Sequence, residues 1–186
     1  MSIKAKGALA LAVMALLGVV AQAASAATAT VTGSVTPGSL SIATSATPSF
    51  SATLDGTDQS KTYTVATTVA DARGSGAGWN LTITSTQFTT GGGTPSLLPT
   101  NASTLTGVTN ACSSGSTCVS PTNTTTYPVA VPAGSSPPTA VKYFNAGTTT
   151  GRGKFDNTPS VNVAVPATTD AGSYSSTLTL AAVTGP

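Results

Sequence analysis

The chemistry open to this chain is limited first by what it lacks. There is no histidine and no glutamate, so neither a Ser-His nor a Cys-His nucleophile pair can be assembled. Paired carboxylates would have to come from Asp55, Asp58, Asp71, Asp156 and Asp170. Asp55 and Asp58 flank the turn DGTD, Asp71 precedes a glycine run, and Asp170 begins DAGSY. At such places an aspartate usually accepts hydrogen bonds from the turn backbone. A loop calcium site from Asp71 or Asp156 with carbonyls is the metal alternative, but no metal and no cofactor are expected, and the chain reads as non-enzymatic. Cys112 and Cys118, in NACSSGSTCVS, are predicted to form a disulfide around a small Gly/Ser loop. In the chain-entropy model such a loop contributes about 2 kcal/mol, enough to pin one excursion but not to hold a fold together.

The elements that must position these residues are strands. TATVTGSV (28–35), YTVATTV (63–69), WNLTI (79–83), YPVAV (127–131), VNVAV (161–165) and YSSTLTL (174–180) alternate apolar and polar residues and are rich in β-branched side chains. Turn formers separate them, as in TPGS, DGTD, GGGTP, AGSSPP and TGRG. The expected fold is all-β, a single sandwich of Ig-like or Greek-key type. The stretch from about 89 to 125, with its glycines, prolines and cysteines, is expected to be a long loop excursion carrying the disulfide. Parity places Trp79, Leu81 and Ile83 on one strand face and Asn80, Thr82 and Thr84 on the other. Trp79, the only tryptophan, therefore reads as an inter-sheet core residue, with an exposed binding role as the alternative. Gly74, Gly76 and Gly78 ahead of it form a hinge that permits a sharp bend or a close backbone approach. A phosphate cradle is excluded at GSGAG because no helix follows.

Residues 1–26 read as a secretory signal peptide: Lys4 and Lys6, an apolar run GALALAVMALLGVV, then small residues with cleavage after Ala23 or Ala26. The remaining domain, 27–186, balances Lys61, Arg73, Lys142, Arg152 and Lys154 against the five aspartates. Charged residues are only 6% of the chain, against roughly 25% in ordinary domains, so a hydroxyl-rich, near-neutral surface is expected, with no basic patch for nucleic acid. Such a surface tolerates self-association or a crowded matrix. SLLPTNAS (96–103) is only superficially a sortase substrate, since Asn101 stands at the required Thr position and no apolar tail with a basic end follows. Covalent anchoring is not expected.

LDGTDQSKTYTVATTVADARGSGAGWNLTITSTQF resembles the N-terminal half of WxL domains, with Trp79-Asn80-Leu81 as the naming motif and Asp71, Gly74 and Gly76 as its approach. GRGKFDNTPSVNVAVPATTDAGSYSSTLTLAAVTGP resembles their C-terminal half. There Tyr174, Leu178, Thr179 and Pro186 match the second motif, Leu180 replaces its usual Trp, and Ala182 stands where an aliphatic residue is expected. The resemblance implies an extracellular domain attached non-covalently to the bacterial cell wall, through peptidoglycan or another wall polymer, and working alongside other surface proteins. It marks Trp79, Asn80, Leu81, Tyr174, Leu178, Thr179 and Leu180 as a wall-binding signature.

Two rival readings remain open at the level of sequence. One is a filament subunit, with ATATVTGSV or AGSYSSTLTLAAV donated to a neighbour's sheet. The other is a carbohydrate-binding module using Trp79, Tyr63, Tyr127, Tyr143 and Tyr174, although Tyr63 and Tyr174 alternate with aliphatic residues as buried side chains do. Lys142, Arg152 and Lys154, around one turn, are candidates to meet anionic wall polymers.

Overall fold

A computed structural model describes residues 27–186; the signal-peptide assignment to residues 1–26 lies outside them. Its compact unit is Thr36–Pro186. The unit is built from ten strands in two sheets, with no helix among the described residues.

The larger sheet is organised around β9 (Gly153–Val165), a 13-residue strand. On one side β9 pairs antiparallel with β5 (Ser103–Cys112), which in turn pairs with β6 (Val129–Ala130). On its other side lie β2 (Gln59–Thr64) and β3 (Thr67–Asp71), end to end, with β1 (Leu40–Thr44) beyond β3. The break between β2 and β3 follows from one residue. Pro159, in the middle of β9, has no N–H to give, so only the Val65 N–H to Pro159 carbonyl bond, 3.0 Å, forms there. The register runs on unchanged across the interruption, with Thr64 facing Ser160 and Thr67 facing Asn157. The expected strand over 63–69 is thus present in direction and register.

The smaller sheet is centred on β4 (Trp79–Thr86). Along one side β4 pairs with β10 (Leu178–Thr184) over its whole length. Along the other it pairs first with β8 (Val141–Ala146) and then, in parallel, with β7 (Ala133–Gly134).

The inner faces of the two sheets make the main core. Val69, Leu105, Phe155 and Val161 from the larger sheet meet Trp79, Leu81, Ile83 and Tyr143 from the smaller, all at most 1% exposed. The parity read from WNLTI is therefore the parity of the core. A second cluster, Leu98, Ala102, Val163 and Val165, sits at the end of the sandwich where β9 and β5 reach past the first, with Phe50, Tyr63, Phe88 and Tyr174 packed against it.

Two expectations are corrected. The stretch from 89 to 125 is not wholly an excursion: it contains β5, whose Ser103–Leu105 alternate buried and half-buried. Its Thr, Gly and Asn content hides the alternation, because after a bulge between Leu105 and Gly107 the strand carries few large apolar side chains. Residues 28–35 form no strand. Of the alternating set Ala29, Val31, Gly33 and Val35, only the valines carry sizeable side chains, and they stand 92% and 99% exposed. A period of two supplies strand geometry, but a strand also needs a neighbour and a face to bury. In hydrogen exchange, the amides of Ser103–Cys112 that bond to β9 should exchange orders of magnitude more slowly than those of 28–35. Equal exchange in the two segments would contradict this placement of β5.

Candidate functional site

The two ends of the sandwich differ in kind. At one end the chain is locked around Trp79. Its indole is fully buried, stacks on Phe144 (centroids 5.9 Å apart) and tilts against Phe155 of the opposite sheet (6.3 Å). Its Nε1–H donates to the Gly151 carbonyl at 2.8 Å, so the polar atom of a buried ring is satisfied. The ring fits because Gly151, at φ 67°, has no side chain; a Cβ there would overlap Ala146 Cβ and come within 2.7 Å of Nε1. Gly78, at φ 75°, is the second close approach, since a Cβ there would come within 3.1 Å of the Gly147 backbone. The hinge expected of the glycines before Trp79 is therefore a set of left-handed turns, with Gly74 and Gly76 also at positive φ.

Asp71 and Arg73 close this end. Arg73 Nε and Nη2 donate to the two Asp71 carboxylate oxygens at 2.8 and 2.9 Å. Nη2 also donates to the Gly78 carbonyl (2.8 Å) and Nη1 to Thr184 Oγ1 (3.0 Å). One guanidinium thereby ties β3, the glycine turn and the end of β10 together, a planar fork doing what a lysine could not. The hydrogen bonds from Arg73 hold the Asp71 carboxyl below its ordinary value, and those bonds raise Arg73 in return. With both oxygens taken by Arg73, Asp71 is a clamp residue rather than a calcium ligand. Asp156 accepts from Ser113 Oγ at 2.6 Å, and no three metal-ligating side chains cluster among the described residues. The Cys112–Cys118 disulfide is formed, and the loop it closes lies over Gly153, where a Cβ would come within 2.9 Å of Cys118 Cβ.

The other end is open. A cleft of about 640 Å³ lies over the second core cluster. Phe50, Tyr63, Phe88 and Tyr174 form its aromatic wall, with Phe50 stacked on Tyr63 (6.3 Å, 12° between planes) and edge-on to Phe88 (5.5 Å, 84°). Its rim is the 169–176 turn. There Asp170 accepts from Ser96 Oγ at 2.6 Å, and the Tyr174 hydroxyl donates to the Asp170 carbonyl at 3.0 Å. Burial pushes the Tyr63 phenol up to about 12, so it stays protonated across the ordinary pH range.

The expected signature is divided between these ends. Trp79 and Leu81 are sealed in the core, and Asn80, half-buried on the outer face, lies between Asn145 and Val183. Thr179 is exposed and Leu180 half-buried opposite Ile83. Tyr174 and Leu178 line the cleft. Tyr63 and Tyr174 are half-buried cleft residues, not the core side chains their alternation suggested. Tyr127 and Tyr143 belong elsewhere: the Tyr127 hydroxyl donates to the Tyr143 carbonyl at 2.8 Å, and Tyr143 is fully buried. Sequence reasoning missed Phe50, Phe88 and Asp170 as neighbours. The one local signal was Phe50, an isolated aromatic in a Ser/Thr-rich stretch with no strand around it. The basic trio is exposed but spread out, with Lys142 on the smaller sheet, Lys154 on the larger, and Arg152 bridged to Val119 beside the disulfide loop.

Residues 23–186 match the family described as WxL domain, surface cell wall-binding. No curated protein and no solved structure matches the chain significantly.

Asp71→Asn should cost about 1.5–3 kcal/mol, the worth of hydrogen bonds to a charged partner, read as a lowered denaturation midpoint. Because the folded pKa of Asp71 is depressed, its contribution is complete above about pH 5 and is lost as pH falls through the folded value. The acid side of the stability profile should flatten in the variant. Gly151→Ala should destabilise by about 1–3 kcal/mol through overpacking against Trp79; an unchanged melting temperature would refute the close approach.

Proposed function

Since this chain belongs to the WxL family of surface cell-wall-binding domains, we propose that it is an exported bacterial surface protein held non-covalently on the wall, with peptidoglycan as the polymer it meets. The observation that carries this reading is the family match over 23–186, which takes in both the Trp79 clamp and the β10 ending. A near-neutral domain with 6% charged residues supports it, because adhesion to a dense polymer matrix is then not opposed by long-range repulsion. With Trp79 and Leu81 buried, the naming motif acts in this reading as the structural lock of the domain, and the polymer is met by other residues.

One observation favours a second reading, a subunit that donates a strand to its neighbour. The segment 28–35 has a strand's alternation and β-branched content, yet it forms no strand, and Val31 and Val35 are exposed.

Residues 27–186 mixed with purified peptidoglycan sacculi should co-sediment, and the unbound protein should elute from size exclusion as a single chain. Failure to sediment, together with high-mass species lost on deleting 28–35, would overturn wall association in favour of assembly. Trp79→Ala should lose binding only together with its fold, at a cost of about 3–5 kcal/mol, which circular dichroism of the same sample reports.

A further inference from the structure

The open cleft carries a recognition chemistry that membership of the family does not assign. Its volume, about 640 Å³, lies within the usual range of small-ligand sites, roughly 300–1,000 Å³. Four of the chain's nine aromatic residues line it, in a domain otherwise poor in them. The floor is apolar, with Leu98, Val165 and Leu178, while the rim carries serine hydroxyls and a single carboxylate, Asp170. That carboxylate is pre-set by Ser96 at Oδ2; its Oδ1 has no protein partner among the described residues.

Each class of ligand meets this lining differently. An anion is opposed, because Asp170 is the only charged side chain in the lining. A hydrocarbon chain would strip water from the hydroxyl rim and the carboxylate without replacing its hydrogen bonds. An extended peptide would need a free strand edge, but at the rim Thr89 and Ser175 already exchange both backbone bonds, at 3.0 and 2.9 Å. A pyranose satisfies all parts at once. Its apolar C–H face packs on an aromatic ring, its hydroxyls donate to a carboxylate, and an N-acetyl methyl is at home on an aliphatic floor.

We propose that the cleft bounded by Phe50, Tyr63, Phe88, Asp170 and Tyr174 is a saccharide site for a short, neutral, N-acetylated glycan segment. The inference rests on the wall-association reading for the source of the glycan, and on the cleft alone for its chemistry. It places the point of contact at the end of the sandwich away from Trp79.

The test is a titration of residues 27–186 with a soluble oligomer of N-acetylglucosamine, followed by amide NMR, beside sacculus sedimentation of the same protein. Expected are shifts confined to Phe50, Phe88, Ser96 and 169–176, and an affinity about tenfold weaker in Asp170→Asn, the loss of one charge-assisted hydrogen bond. Asp170 is exposed, so this variant keeps the fold. Phe50→Ala, which removes one ring of the aromatic wall, should weaken binding as well. No shifts up to the solubility limit, or shifts elsewhere on the surface, overturn the proposal. So does stronger displacement of the cleft resonances by a peptide of residues 28–35 than by the sugar. If wild type and both variants sediment equally with sacculi, the cleft is not the wall contact and the wall reading stands. If wild type does not sediment, the wall reading falls and the oligosaccharide titration still decides the cleft.

Discussion

The fold depends on a hole of the right size for one indole. Trp79 can be fully buried because Gly151 crosses its edge without a side chain and presents a carbonyl to Nε1. That single contact joins β4 to the turn that starts β9, and β9 is the strand on which β2, β3 and β5 are all assembled. Arg73 then holds the loose ends, since the carboxylate, carbonyl and hydroxyl it bonds belong to three different segments. The aromatic packing is non-directional and strong, while the hydrogen bonds are weaker but fix where each backbone must stop. A ring without the glycine would not fit, and a glycine without the ring would leave a void.

Much of this was legible in the sequence. Period-two alternation placed Trp79, Leu81 and Ile83 on one face, and that face is the core. The close cysteine pair and the turn formers were equally direct, because their meaning is local. What escaped was long-range or compositional. β5 carries only Leu105 and Val108 as sizeable apolar side chains toward the core, so its place is set more by pairing with β9 than by an apolar stripe of its own. Residues 28–35 show the opposite case, a local pattern that forms no strand.

The candidate cleft was the least legible part. Phe50, Phe88 and Tyr174 are separated by long stretches of sequence, and only the folding of a loop without regular structure against the 169–176 turn brings them together. The two tyrosines were read as core because each alternates with aliphatic residues. Alternation reports which way a side chain points, not whether the sheet beneath it ends. At the end of a sandwich an inward-pointing residue faces an opening.

The distance between the two ends has a consequence for how substitutions combine. β4 is eight residues long, roughly 25 Å at about 3.3 Å per residue, and Trp79 begins it while Phe88 lies just past its far end. Substitutions that far apart act on stability almost independently. Trp79, Asn80 and Leu81 are therefore under a different constraint from Phe50 and Phe88, whereas Tyr174 and Leu178 belong both to the expected signature and to the cleft. Phe50 and Phe88 can change without disturbing the packing around Trp79, while a change at Tyr174 touches the cleft and the signature together.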